Sequence, residues 1–171
     1  MSLQELTDKL WFPPIEQSAA DGLLAIGGDL STERLLLAYR SGIFPWYNDD
    51  EPPLWWSPDP RFVLFPEELY VSKCMQQLFK RRSFKITMNK AFTEVIRNCG
   101  RQKRKGQNGT WITAEIEDAY TQLHKLGYAV SVEAWKENEL VGVITTNDLL
   151  KTIGNFAGTN EIGGIIVLEM E

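Results

Sequence analysis

The chain has 171 residues, of which 43% are hydrophobic and 24% charged, as is typical of one globular domain or two small ones. This composition excludes collagen-like, disulfide-rich and wholly disordered proteins. No apolar run approaches the roughly 20 residues of a membrane-spanning helix, and no basic start followed by an apolar stretch marks a signal peptide, so we expect a cytoplasmic protein without a membrane anchor.

Two cysteines and a single histidine leave few candidates for metal binding or nucleophilic catalysis. A four-ligand zinc site needs more thiol and imidazole groups than this, and no CxxC pair is present, so we expect no metal. His124 lies near the end of a predicted helix, which favours a surface position or a contact with the helix dipole over a role as a base. Cys74 and Cys99 occupy apolar helix positions and are predicted to be core thiols.

The charge of the chain is −5 overall but is unevenly distributed. Residues 73–105 hold eleven basic residues and one acidic residue, a net charge of +10, whereas the remaining residues hold seven basic and 22 acidic residues, a net charge of −15. A basic block in an acidic protein indicates a local site for a polyanion such as nucleic acid. The alternative is a set of solvated helix faces and a basic loop.

The first 60 residues contain one predicted helix among irregular segments. Residues 1–21 are predicted to be irregular because paired prolines force an extended backbone. A helix is predicted over about 32–41, capped by Ser31 or Thr32 and ended by a glycine. Five prolines between residues 45 and 60 predict that this stretch forms neither a helix nor a central strand.

Helices and strands are predicted to follow one another from residue 61, which indicates an α+β fold. The predicted strands are 61–65, 84–88 and a hairpin over 128–145 that turns at Lys136–Asn138, and the predicted helices are 73–81, about 90–99 and 114–126. Ser72 and Thr113 are predicted N-caps. In the helix at 73–81, the apolar residues Met75, Leu78 and Phe79 are predicted to point inward.

Several aromatic residues could bind a ligand or fill the core. Trp46 follows a proline in a turn and could stack on an unpaired base. Trp111 precedes a capped helix, whose N-terminus attracts phosphate or a developing oxyanion, but a hydrophobic staple over the first helical turn explains it as well. Trp55 and Trp56 are interpreted as core.

Glu133, on a strand face with Ser131 and Trp135, could line a site or face water.

Long aromatic-rich motifs of the chain resemble one family over about residues 20–142. They are GGDLS, GIFPWY, WWSPDPR, FKITMNKAFTEVIRNC, GTWIT, YAVSVEAW and ELVG, in this order. The chain resembles the bacterial leucyl/phenylalanyl-tRNA–protein transferases. These enzymes move leucine or phenylalanine from an aminoacyl-tRNA to the N-terminal Lys or Arg of a protein, which creates an N-degron.

The resemblance implies a small N-terminal domain, 1–60, followed by an incomplete α/β domain, 61–142, similar to the GNAT acyltransferases. It implies that Trp46 and Trp111 hold the aminoacyl-adenosine end of the tRNA. It also implies that Lys73, Lys80 and Arg81 face the acceptor stem. Neither a cofactor nor a metal is expected.

The tail over residues 143–171 departs from the family pattern. Its start, LVGVITTNDLL, resembles the end of a nucleotide-binding CBS motif, with Thr145 and Asp148 at ribose-contacting positions. The resemblance places the pocket for the Leu or Phe side chain and the groups beside the amine after residue 142, so no catalytic residue is assigned and low activity is expected. The alternatives are a non-catalytic binder of the tRNA acceptor end and an adenine-nucleotide-sensing CBS-like fragment.

Overall fold

A computed structural model describes residues 3–60, 70–101 and 110–143, together with the backbone of a short strand at 166–167. The predicted strand at 61–65 and the predicted tail features at Thr145 and Asp148 lie outside these residues. Four helices and three small sheets make up the described part, which confirms the predicted α+β class.

The N-terminal part is built on a four-stranded sheet with the order β1-β2-β4-β3. Strand β1 pairs in parallel with β2, and the other pairs are antiparallel. The strands are β1 (Gln4–Leu6), β2 (Leu23–Gly27), β3 (Phe44–Pro45) and β4 (Leu54–Trp56).

Two predictions for this part are wrong. Residues 1–21 are not irregular throughout, because they contain β1 and a single 3-10 turn at Ile15–Gln17. The proline-rich stretch does contain an interior strand, β4, which lies between β2 and β3. None of the three residues of β4 is a proline, so all three can donate backbone hydrogen bonds. Pro45 lies on the edge strand β3, where a missing backbone donor is tolerated.

Helix α1 (Thr32–Arg40) confirms the predicted helix and its cap, since the Ser31 hydroxyl accepts a hydrogen bond from the backbone N–H of Arg34 at 3.4 Å. The Arg34 side chain is only 1% exposed. Its Nη2 donates to the carbonyls of Thr7 and Lys9 at 2.8 and 3.3 Å and to the Asp29 carboxylate at 3.3 Å. This guanidinium therefore fastens the N-terminal segment to α1.

The second part contains three helices and two sheets. The helices are α2 (Lys73–Arg81), α3 (Phe92–Arg101) and α4 (Ala114–Lys125). The strands are β5 (Lys85–Met88), β6 (Ala129–Val130), β7 (Val132–Lys136), β8 (Glu139–Val143) and β9 (Ile166–Val167). Strands β5, β7 and β8 form an antiparallel sheet in that order, and β6 pairs with β9.

The β7–β8 hairpin confirms the predicted turn. Its two loop residues, Glu137 and Asn138, have φ angles of 51° and 69°. Positive φ at both central positions is the geometry of a type I′ turn, whose twist matches the twist of the flanking strands.

Helix α2 has the predicted bounds, and the Ser72 hydroxyl accepts from the backbone N–H of Met75 as a cap. Its predicted inward face is wrong, because none of its residues is buried: Met75 is 40% exposed and Phe79 56%. Cys74 is also exposed, contrary to the prediction of a core thiol. Periodicity identified an apolar stripe on α2, but no other described element covers it.

One hydrophobic core extends across both parts of the chain. It contains Leu35, Ile43 and Trp55 from the first part and Ile96 and Ile116 from the second. In the described part of the chain, the core is therefore continuous across residue 60.

Glu133 on β7 is fully buried and joins the second sheet to α3. Its Oε1 accepts hydrogen bonds from the backbone N–H groups of Lys90 and Ala91 at 3.1 and 3.3 Å and from the Ser131 hydroxyl at 2.6 Å. Its Oε2 accepts from the Thr87 hydroxyl. Burial alone would raise the pKa of Glu133, but these hydrogen bonds lower it below its usual value. Both interpretations of Glu133 are therefore wrong. The carboxylate neither lines a ligand site nor faces water, but caps the start of α3.

We predict that Glu133→Ala destabilises the fold by about 3 kcal/mol or more, since a lost cap costs about 0.5–2 kcal/mol and each stranded buried donor about 1–3 kcal/mol. Glu133→Gln should cost less, because its amide oxygen still accepts. Urea unfolding measures both, with the exposed Glu139→Ala on the neighbouring strand as a matched control. Equal stability of the Ala variant and the control would contradict this role.

The pH dependence provides an independent check of this cap. Because the folded-state pKa of Glu133 is lowered, its stabilising effect is present above the unfolded pKa and is lost as the pH falls through the folded pKa. The stability difference between wild type and Glu133→Gln should therefore shrink on acidification below about pH 4.

Candidate functional site

Trp46 lies at the end of the short strand β3 and is half-buried. Its backbone N–H donates to the Leu54 carbonyl at 2.9 Å, and its own carbonyl accepts from the Trp56 indole N–H at 2.7 Å. The rings of Trp46 and Trp56 lie 5.8 Å apart at 52°. The backbone around Trp46 is thus held on both sides, while part of its ring remains exposed.

Trp55 is a core residue, as interpreted from the sequence. Its side chain is 0% exposed, its indole N–H donates to the Gly27 carbonyl at 2.9 Å, and its ring centroid lies 4.8 Å from that of Phe12 in a tilted ring contact. Trp56, which was also interpreted as core, is only half-buried. The sheet therefore has one tryptophan inside and two, Trp46 and Trp56, at its boundary.

Trp111 is half-buried just before α4. The helix is capped as predicted, because the Thr113 hydroxyl accepts from the backbone N–H of Ile116 at 3.2 Å. The ring centroids of Trp111 and of Tyr120 on α4 lie 6.3 Å apart, and the rings are nearly perpendicular, at 77°. A half-buried aromatic ring keeps part of its surface available for stacking against a planar ligand.

Two tyrosine hydroxyls join α1 to α4 near Trp111. The hydroxyls of Tyr39 and Tyr120 form a hydrogen bond, and their rings are perpendicular with centroids 6.4 Å apart. Burial raises the pKa of Tyr39 to about 12 and that of Tyr120 well above its usual value. Both phenols stay protonated at neutral pH, so they can donate hydrogen bonds but cannot act as bases.

A second tyrosine contact joins the Trp46 segment to α4. Tyr47 is 4% exposed, and its hydroxyl donates to the Glu115 carboxylate at 3.3 Å. Burial raises the pKa of Tyr47 to about 12, and the negative charges of Glu115 and Asp49 act in the same direction. This contact places the GIFPWY and GTWIT motifs on adjoining segments of the folded chain.

The other predicted site residues lie on α2. Lys73, Lys80 and Arg81 are all exposed, the first in the first turn of the helix and the other two in its last turn. Arg97, which is also part of the basic block, instead forms an ion pair with Glu117 at 2.6 Å. Lys103, Arg104 and Lys105 lie outside the described residues.

Sequence reasoning did not single out Tyr39, Tyr120 or Glu115. Tyr120 could have been found as an inward residue, because it shares a helix face with the buried Ile116 and Leu123. That Tyr120 would meet Tyr39, 81 positions earlier in the chain, has no local signal.

The remaining candidates for chemistry have structural partners. The His124 ring stacks on Phe92 at 4.2 Å, and its Nδ1 is 2.8 Å from the Ala129 carbonyl oxygen. Within the described ranges, no group of three His, Cys, Asp or Glu residues could hold a metal ion. Nor does any helix among these residues have the length and apolar character needed to cross a membrane.

Comparison with known protein families gave two matches. The leucyl/phenylalanyl-tRNA protein transferase N-terminal domain matches residues 28–59, and the leucyl/phenylalanyl-tRNA protein transferase domain matches residues 63–155. The second range extends past residue 142, the position at which the sequence motifs predicted the family resemblance to end.

Curated relatives give the same result. The chain is 56% identical over 140 residues to the leucyl/phenylalanyl-tRNA–protein transferase of Flavobacterium johnsoniae, covering 82% of the chain and 66% of the relative. It is 54% identical over 142 residues to the protein of the same name from Syntrophobacter fumaroxidans, covering 83% and 61%. The match thus spans less than two thirds of the length of these relatives. Because the transferase domain alone matches more than half of the chain, this chain belongs to the leucyl/phenylalanyl-tRNA protein transferase family.

Proposed function

We propose that the whole protein transfers leucine or phenylalanine from an aminoacyl-tRNA to the N-terminal Lys or Arg of a protein in the cytoplasm, and that this chain supplies the platform for the tRNA acceptor end. The observation that carries the proposal is the meeting of the Trp46 and Trp111 segments at the Tyr47–Glu115 contact. Two half-buried indoles on adjoining segments suit the adenosine at the 3′ end of a tRNA, because a purine stacks on aromatic rings.

The proposed reaction needs little covalent chemistry from the protein. The neutral α-amine of the acceptor attacks the carbonyl carbon of the aminoacyl ester, and a C–N bond forms. The C–O bond to the ribose then breaks, and the proton lost by the amine passes to the leaving ribose oxygen. The ester is already activated and an α-amine has an ordinary pKa of about 8, so positioning and oxyanion stabilisation are the main requirements.

Positioning is the contribution that the described residues can make. Holding two reactants in line can account for roughly 7–11 kcal/mol of a barrier. Stacking on Trp46 and Trp111 would fix the adenosine, and with it the ester on its ribose. Exposed cations on α2 would meet the phosphates of the acceptor stem.

A transfer assay tests the proposed function. Radiolabelled leucyl-tRNA is incubated with a peptide that begins with Arg, and leucine in the peptide is counted. We predict slow transfer by the 171-residue chain, and none to the same peptide with an acetylated N-terminus. Tight tRNA binding without any transfer would favour the alternative of a non-catalytic binder. Turnover equal to that of the Flavobacterium johnsoniae relative would contradict the expected low activity.

The aromatic platform is tested by ligand binding. We predict that Trp46→Ala and Trp111→Ala each weaken binding of a non-hydrolysable leucyl-adenosine amide by about 1–3 kcal/mol, because each removes a stacking surface. Isothermal titration measures the affinity, and near-ultraviolet circular dichroism checks the fold. Trp46→Phe and Trp111→Phe are the controls and should retain most of the affinity. Loss of the folded signal in the Ala variants would assign these residues to the core instead.

The basic face of α2 is tested by salt dependence. Replacing Lys80 and Arg81 together by Ala should reduce the steepness of log Kd against log salt by about 1.4–1.8, since each phosphate contact contributes about 0.7–0.9. Arg97→Ala is the matched control, because the ion pair with Glu117 already engages that guanidinium. An unchanged slope in the double variant, measured with deacylated tRNA, would show that α2 does not meet the phosphates.

A further inference from the structure

We infer that Tyr47 and Glu115 are positioning residues that set the spacing between Trp46 and Trp111. The inference rests on the proposed role of these tryptophans and adds two residues that do not themselves touch the adenosine. It follows from where the Tyr47–Glu115 contact lies in the chain and from what else holds each tryptophan.

The contact lies next to both tryptophans. Tyr47 directly follows Trp46, and Glu115 follows Trp111 by four residues, in the first turn of α4. The two residues are 68 positions apart, yet the Tyr47 hydroxyl is 3.3 Å from Glu115 Oε2. A shift at this contact would therefore move one tryptophan relative to the other.

Both ends of the contact are rigid. Tyr47 is 4% exposed and packs in the hydrophobic core, so its ring has little freedom. Glu115 is exposed, but its backbone lies in a helical turn that Thr113 caps. The carboxylate makes the hydrogen bond charge-assisted, which strengthens it relative to a bond between neutral groups.

Among the described residues, the other hydrogen bonds and ring contacts of each tryptophan stay within its own part of the chain. Trp46 is held by Leu54 and Trp56, which belong to the N-terminal sheet. Trp111 is supported by Tyr120 on α4, the helix that follows it in the chain. The Tyr47 hydroxyl links segments 44–47 and 110–115 directly, through its hydrogen bond to Glu115 and an interaction with the Thr113 side chain.

Four variants test the inference: Tyr47→Phe, Glu115→Ala, the double variant, and Glu115→Gln, whose amide oxygen still accepts the hydrogen bond. The probe is the leucyl-adenosine amide. We expect Tyr47→Phe and Glu115→Ala each to weaken its binding about fivefold to tenfold, the range expected when one ordinary protein hydrogen bond is lost. The double variant should weaken it no further, and Glu115→Gln should retain most of the affinity.

Two controls separate positioning from a purely structural role. Asp118→Ala removes an exposed carboxylate from the same helix and should bind as wild type. The salt dependence of deacylated tRNA binding, which reports on α2, should be unchanged in all the variants. Glu115 is exposed, so its Ala variant folds even if Tyr47→Phe is destabilised.

The outcomes distinguish this inference from the proposed function. Wild-type affinity in Glu115→Ala, or additive losses in the double variant, would overturn the inference. If Trp46→Ala and Trp111→Ala also bound as wild type, the aromatic platform itself would be wrong. If the tryptophan variants weaken binding and the Tyr47 and Glu115 variants do not, the platform stands and the positioning role falls.

Discussion

The seam between α1 and α4 is the constraint on which the candidate site depends. It is closed by the hydroxyl pair of Tyr39 and Tyr120, over a core shared by both parts of the chain. Two buried phenol hydroxyls that hydrogen-bond to each other satisfy much of their hydrogen-bonding capacity inside the protein. The two helices can therefore pack together without exposing these hydroxyls to water. Because Trp46 follows α1 and Trp111 precedes α4, closing this seam also brings the two aromatic motifs to one place.

Local chemistry explains which features could be predicted from the sequence. Ser31, Ser72 and Thr113 cap their helices as expected, since a cap needs only a hydroxyl and an N–H three residues later. The β7–β8 turn is equally local. The motifs around Trp46 and Trp111 identified the family from the sequence, and the family matches agree.

Features that depend on distant partners could not be predicted. Glu133 sits on a strand whose pattern allowed a site or a solvent-facing side chain, and only the folded chain shows that a helix begins beside it. The apolar stripe of α2 has ordinary helical periodicity, but periodicity does not reveal whether another element covers it. Strand β4 has prolines on both sides, but none lies within its three residues. A count of prolines over the whole stretch therefore does not predict this strand.

The capping of α3 by Glu133 also has a consequence for the order in which the chain can fold. The N–H groups of Lys90 and Ala91 donate to the Glu133 carboxylate, which follows them in the chain by 43 and 42 residues. During synthesis, α3 and α4 are therefore complete before the carboxylate that closes the start of α3 has been added. A chain that stops short of β7 can form the helix, but it leaves those two donors to water.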